Sequence, residues 1–433
     1  MELKSFDGYK FVDGGVCAAK GFKANGICCG LRHQALTEET ATEQNHAANG
    51  VTDDAPKKND LALIVSDTMC STAAMYTTNK VKGAPIQVTK RNIADGKAQA
   101  VIVNSVNANT CNADGEEKAA AMCKLAAEAL NLKDTDIIVA STGVIGQTLP
   151  IEPIAAGLPK LAEGLSYEGN SEAMHAIMTT DTREKEVAVE FTVGGKTCRL
   201  GGMLKGSGMI HPNMATTLTF LTTDCAVSSE MIRKALQAVV RVTLNRVSVD
   251  GDTSTNDMVC VLANGLAGNA EINAENADYQ AFCGALHAIL LNLARMCAAD
   301  GEGATKLVEC TVSNADNEEQ AEIIAKSVIT SSLFKAAMFG ADANWGRIAC
   351  AMGYSGAEYD VSKVDVELAS KKGKIAVAKQ GYGIPFSEDD AKKILLEDEI
   401  QVLISLGSGD KTVTAWGCDL TYEYVKINGD YRS

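Results

Sequence analysis

The chain has 433 residues, which at about 150 residues per domain allows two or three domains. Hydrophobic residues make up 46% and charged residues 22%, enough apolar material for a folded core, so disorder is excluded as the main state. Lys and Arg number 40 against 55 Asp and Glu, a net charge of −15; this excludes a global basic footprint for nucleic acid or an anionic membrane, and any anionic ligand needs a local cationic pocket.

Residues 1–10 are too polar for a signal peptide, so no leader is expected. Residues 34–60 hold six acidic side chains and two lysines, Lys57 and Lys58, with little that is large and apolar; they read as a solvated loop. Short apolar runs at 61–65, 100–103 and 137–140 predict buried strands, the last ending at Ser141-Thr142-Gly143. Ala119, Met122, Cys123, Ala126 and Ala127 recur at helical spacing and predict a helix over 116–131. Alternation over 187–193 predicts a half-exposed strand. In the second half, 218–221 and 258–262 read as strands. Residues 229–246, with Ser229 as N-cap, 279–299 and 317–334 read as helices. The most apolar stretch, 285–299, is interrupted by His287, Asn292 and Arg295 and does not predict a membrane span. Strands are expected at 399–406, 412–418 and 422–427. The mixture predicts an α/β chain.

The 14 cysteines are scattered, none in C-x-x-C spacing and most beside Ala, Val, Ile or Met. They read as small buried hydrophobes of a reducing cytoplasm, with no metal site implied. Gly194-Gly195-Lys196-Thr197 has the end of a phosphate loop, but Glu190 stands where the motif needs glycine, so a hairpin turn is expected. Residues 249–257 are rich in oxygen ligands. Counted from Asp250 as a calcium loop, they place glycine at position 2 and Val261 at position 12, so an Asx-rich turn bonded to itself is expected. His33, His46, His175, His211 and His287 show no metal or triad spacing, and His287 reads as a core residue.

The stretch Lys205-Gly206-Ser207-Gly208-Met209-Ile210-His211-Pro212-Asn213-Met214-Ala215-Thr216 is an irregular Gly/Pro loop leading into a strand. It resembles the self-cleavage segment of the ornithine acetyltransferase family. So do Ser141-Thr142-Gly143-Val144-Ile145-Gly146, Thr179-Thr180-Asp181-Thr182, the run from Ser248 to Asp257, Asp300-Gly301-Glu302-Gly303-Ala304-Thr305-Lys306, Asn344-Trp345-Gly346-Arg347 and the C-terminal segment to Ser433. The likeness runs in order along nearly the whole chain. It departs at the long 34–60 loop and at Thr217, where the family more often has a hydrophobic residue.

The resemblance implies an α/β fold of stacked sheets flanked by helices, of the self-cleaving N-terminal-threonine nucleophile type. Cleavage between Ala215 and Thr216 would give an alpha chain, 1–215, and a beta chain, 216–433, assembled as an α2β2 heterotetramer. Thr216 would be the nucleophile. Its new α-amino group, with an ordinary pKa of about 7.7–8.0, would be the base. Thr142 and Gly143 would hold the oxyanion. Thr179, Lys205, Thr216, Glu302, Asn428 and Ser433 would bind substrate. The implied reaction moves acetyl from N2-acetylornithine to glutamate through an acetyl-Thr216 ester. No cofactor is implied, and acetyl-CoA enters only as a co-substrate of bifunctional members. A self-cleaving aminopeptidase or amidohydrolase on a related scaffold is the alternative.

Overall fold

The structure is a computed structural model and describes residues 1–32, 58–211 and 217–429. The expected cleavage pair Ala215–Thr216, Ser433 and nearly all of the acidic loop lie outside the described residues. Among the described residues fifteen strands build two sheets. The first nine are β1 (Lys10–Val12), β2 (Phe22–Ile27), β3 (Leu61–Tyr76), β4 (Lys97–Asn104), β5 (Ile137–Ser141), β6 (Glu186–Val193), β7 (Lys196–Lys205), β8 (Leu218–Thr223) and β9 (Met258–Ala263). The other six are β10 (Leu307–Ala315), β11 (Asp365–Ser370), β12 (Gly373–Lys379), β13 (Tyr382–Gly383), β14 (Glu399–Ser405) and β15 (Lys411–Cys418). The α-helices that lie wholly within the described residues are α1 (Ala84–Asn92), α2 (Gly115–Leu130), α3 (Glu152–Glu163), α4 (Asn170–Ile177), α5 (Ser229–Val242), α6 (Ala277–Ala299), α7 (Glu318–Thr330), α8 (Ser332–Phe339), α9 (Trp345–Gly353), α10 (Glu388–Leu395) and α11 (Tyr422–Gly429).

The larger sheet runs β1-β6-β7-β8-β9-β3-β4-β5, with β2 added on β3. Strand β3 is long enough to change partners: its first half pairs with β2 and its second half with β9, while β4 pairs with it on both sides of an irregularity between Val65 and Cys70. Successive residues of β8 and β9 point to opposite faces. Leu221, Val259 and Val261 meet α5 and α6, whereas Phe220, Cys260 and Leu262 join β2, β4 and α4 on the other side. Helices α1, α2 and α3 close the β4–β5 end. The second sheet, β13-β12-β11-β14-β10-β15, packs on α7, α8 and α9. Leu307, Trp416 and Cys418 of that sheet pack into the core around α6, which therefore lies between the two sheets. This is the expected α/β arrangement of stacked sheets flanked by helices.

Helix α6 has the length and composition of a membrane span, yet 67% of its most apolar window is buried inside the protein. Its Arg295 donates to Glu309 at 2.7 Å and to Glu399 at 3.0 Å, and Trp416 Nε1 donates to Glu309 at 3.1 Å. A buried guanidinium is tolerable only when paired in this way. Gly194 and Gly195, both at positive φ, make the tight β6–β7 turn, as expected. None of the fourteen cysteines forms a disulfide, and nine are buried. His287 packs edge-on to Phe6 with ring centroids 5.4 Å apart, but both are half-buried, so it sits at the margin of the core and not within it as read.

Three local expectations need correction. Ser228, not Ser229, caps α5, accepting the Met231 N–H at 3.4 Å, and the helix ends at Val242. The helix expected over 317–334 is two helices, because the Ser331 side chain caps a new one by accepting the Phe334 N–H. Residues 422–427 form the start of α11 and not a strand. No side chain of that segment is buried, so alternation has no core face to serve, and Glu423 pairs with Lys426 one turn on.

Candidate active site

Two adjacent parallel strands end side by side. Asn104 closes β4 opposite Ser141 of β5, and the Thr142 N–H donates to the Asn104 carbonyl at 3.0 Å. The chain beyond them is fixed by buried asparagines. Asn104 donates to Ser141 Oγ at 2.7 Å and accepts the Asn107 N–H at 3.1 Å. Asn256 Nδ2 donates to the carbonyls of Ala108 at 2.6 Å and Ser141 at 2.9 Å, while its Oδ1 accepts Thr110 Oγ1 at 2.7 Å. Unpaired amides in such a place would be costly, so these bonds set the loops in one conformation. Gly143 has φ +129°, and a Cβ there would lie 2.0 Å from the Val106 carbonyl oxygen. Only glycine fits. Its neighbours Thr142 and Val144 donate to Asn104 and Val106, whereas the Gly143 N–H has no backbone partner among the described residues.

The opposite wall comes from three further segments. Thr179 and Thr180 follow α4. Lys205 ends β7 and runs into Gly206-Ser207-Gly208. Glu302 follows α6 and accepts Asn428 Nδ2, from α11, at 2.7 Å. Together Thr142, Gly143, Thr179, Thr180, Lys205, Glu302 and Asn428 line one pocket, partly open to solvent, with Ser254, Thr255 and Asn256 on its side. Six of the residues named from sequence are thus brought to one place. The pocket carries a cation, an anion, hydroxyls and amides, a set suited to an amino acid with a carboxylate and an ammonium.

Lys205 is 9% exposed, and among the described residues its ammonium has no ion-pair partner. Beneath it lies Asp181. Burial pushes that carboxyl up, but Lys185, Lys205 and the Gly206 N–H overcome the penalty and hold it well below the usual carboxylate range. Asp257 is the contrary case: it is buried, its Oδ2 has no hydrogen-bond partner, and burial holds its carboxyl well above the ordinary value despite Lys205.

The described chain resumes at Thr217, immediately after the expected nucleophile. The Thr217 carbonyl accepts the Met258 N–H at 3.0 Å, placing the head of β8 beside β9. A Cβ on Gly206 would come 2.8 Å from the Thr217 methyl, so the same point abuts the Lys205 segment. The Thr217 hydroxyl, a second hydroxyl near Thr216 in sequence, is buried and bonded to Thr219 Oγ1 at 2.6 Å.

Sequence reasoning missed several contributors. The run 249–257 is not mainly bonded to itself: Asp250 accepts the N–H groups of Met209 at 2.7 Å and Ile210 at 2.9 Å, and Asn256 grips two distant loops. Its density of hydrogen-bonding side chains was the available signal. Lys58 was assigned to the acidic loop, but its Nζ donates to the Thr179 carbonyl at 2.6 Å.

The ArgJ family model matches residues 43–433. The chain is 45% identical over 425 residues to the arginine biosynthesis bifunctional protein ArgJ of Caldanaerobacter subterraneus subsp. tengcongensis, covering 98% of this chain and 100% of that one. It is 48% identical over 377 residues to ArgJ 1 of Clostridium acetobutylicum, covering 87% and 92%. Among solved structures it is similar to the argJ bifunctional protein of Bacillus halodurans, with 45% identity, 48% of this chain and 97% of that chain covered, and a TM-score of 0.46.

Proposed function

The chain belongs to the ArgJ family, named for arginine biosynthesis, and on that premise we propose that it moves an acetyl group from N2-acetylornithine to glutamate through an ester on Thr216. The observation that carries the reading is the convergence of Thr142, Gly143, Thr179, Lys205, Glu302 and Asn428 on one pocket next to the head of β8.

Self-cleavage comes first. The Thr216 hydroxyl attacks the Ala215 carbonyl carbon, the peptide C–N bond breaks, and water hydrolyses the resulting ester. This frees an α-amine on Thr216. That amine, neutral in part near pH 7, takes the proton of its own hydroxyl. In the first half-reaction Thr216 Oγ bonds to the acetyl carbon of N2-acetylornithine. The oxyanion meets the Thr142 hydroxyl and the Gly143 N–H, the C–N bond breaks, and the proton passes to the departing amine of ornithine. In the second half-reaction the glutamate α-amine attacks the ester, returns a proton to Thr216, and leaves as N-acetylglutamate. Lys205 pairs with the substrate α-carboxylate, and Glu302 with an ammonium; Thr179, Asn428 and Ser433 complete the binding set. Acetyl-CoA serves as a second acetyl donor. The two chains assemble as α2β2 in the cytoplasm, where free thiols persist.

Purified protein is assayed with N-acetylornithine and glutamate. Stoichiometric ornithine and N-acetylglutamate support the proposal, and loss of both products in Thr216→Ala is expected. Free acetate with no N-acetylglutamate would identify a hydrolase.

A further inference from the structure

A buried charge cluster lies under the pocket, and the reaction steps above leave it unused. Lys185, in β6's approach from α4, has a side chain with no exposure. Its Nζ sits 2.7 Å from Asp181 Oδ1 and 2.5 Å from Asp300 Oδ2, both themselves buried. Burial works against the ammonium, and the two carboxylates together hold it above the usual lysine range. Burying three ions is expensive, and such clusters are weak evidence for stability, so the arrangement calls for another reason.

The hydrogen bonds supply one. Asp181 Oδ2 accepts the Thr179 N–H at 3.0 Å, and its Oδ1 accepts the Gly206 N–H, the amide after Lys205, at 2.8 Å. Asp300 accepts the Thr182 N–H at 3.1 Å and the Thr182 hydroxyl. The Asp300 carbonyl accepts Ser207 Oγ at 2.6 Å, and the Ser207 carbonyl accepts the Glu302 N–H at 3.0 Å. Two separate segments of the pocket wall, 179–182 and the turn at Gly206, therefore hang on the two carboxylates that Lys185 joins, and Glu302 is tied to them through main-chain oxygens of Asp300 and Ser207. The charges matter as much as the bonds. Two carboxylates lie in the cluster with two lysines at hand. Since Lys185 takes both carboxylates, the Lys205 ammonium is left without an ion pair among the described residues.

We propose that Lys185 is a positioning residue of this site: by pairing with both Asp181 and Asp300 it leaves the Lys205 ammonium for a substrate carboxylate and holds Thr179 and the Lys205–Gly206 turn at the pocket wall. The inference rests on the amino-acid-binding role proposed above. Without Lys185, Asp181 would claim Lys205, and an incoming carboxylate would have to displace it.

The test compares Lys185→Arg with the charge-balanced pair Lys185→Met/Asp300→Asn, which removes one charge of each sign and so spares the fold an orphaned ion. In the pair, KM for N-acetylornithine and for glutamate should rise about ten- to a hundredfold, the range for one charge-assisted hydrogen bond, with kcat within about threefold. Self-cleavage into two chains should persist, since it needs no substrate carboxylate. Lys185→Arg should recover most of the lost affinity. A pair variant that is less stable but keeps both KM values within twofold of the unmodified protein overturns the proposal, as does equal damage by Arg. If the unmodified protein moves no acetyl, the functional reading fails by itself. Calorimetric binding of ornithine to the same variants then decides the present point: unchanged affinity refutes it, and a tenfold loss sustains it.

Discussion

A Cβ placed on Gly208 would lie 2.3 Å from the carboxyl carbon of Glu302, so the absence of a side chain at 208 is what lets Glu302 reach the pocket and accept Asn428 Nδ2 at 2.7 Å. The clash in Gly208→Ala would fall on the flexible end of Glu302, so the fold should survive while the carboxylate moves. The expected result is a rise of about tenfold in KM for N-acetylornithine, one charge-assisted contact, with self-cleavage intact. Steady-state kinetics beside a denaturing gel checks both halves.

Gly143 meets a harder obstacle, the backbone oxygen of Val106 at 2.0 Å from a built Cβ, at a φ of +129°. Gly143→Ala must therefore shift the β5 end and misplace the N–H assigned to the oxyanion. Thr142→Val removes only the hydroxyl and keeps the shape. Each should lower kcat by about 10²–10³-fold, the usual loss of one oxyanion donor, and Gly143→Ala should also lower the melting temperature. Single-turnover release of ornithine measures the rate, and thermal unfolding separates the two variants.

The sheet order interleaves the expected pieces. β8 and β9 lie after position 216, yet they sit between β7 and β3, which both precede it, paired on each side. Cutting the chain there leaves both pieces woven into one sheet. The two chains should run as separate bands of near-equal size under denaturing conditions and as one species in native mass spectrometry, without exchange on dilution.

Glu186 gives a pH signature away from the pocket. Burial pushes its carboxyl up to about 7, with Glu184 and Glu172 adding repulsion against the Asn170 bond. An acid with a raised folded-state pKa holds its proton better folded than unfolded. Its stabilisation is full below the unfolded value of 4.5 and is lost as pH rises through about 7. Glu186→Gln should raise the melting temperature at pH 8 by about 2 °C and leave it unchanged or lower at pH 4. Melting curves at the two pH values read the sign.

Much of this was visible in the sequence, for local reasons. The apolar runs that became β4, β5, β8 and β9 are buried on both faces and so announce themselves. Thr142, Gly143 and Lys205 stand at strand ends, where motif and element boundary coincide. What stayed hidden depends on partners far along the chain. Asn256 bonds to Ala108 and Ser141, 148 and 115 positions away, so its run looked like a self-contained turn. Lys185 and Asp300 are 115 apart, and neither charge suggests burial when read alone. Segment 422–427 looked like a strand because Tyr, Val and Ile favour strands; the bond from Asn428 to Glu302 ties it down as a helix instead.

The central claim is that Thr216 becomes a chain terminus and carries the acetyl group. Intact-mass analysis with N-terminal sequencing of freshly purified, active protein tests it most directly, before and after brief exposure to N-acetylornithine without glutamate. The expected result is two chains, one beginning Thr-Thr-Leu-Thr-Phe, and a gain of one acetyl group on that chain alone, removed again by glutamate. Active protein with a single uncut chain, or with the acetyl group anywhere but Thr216, would contradict the account.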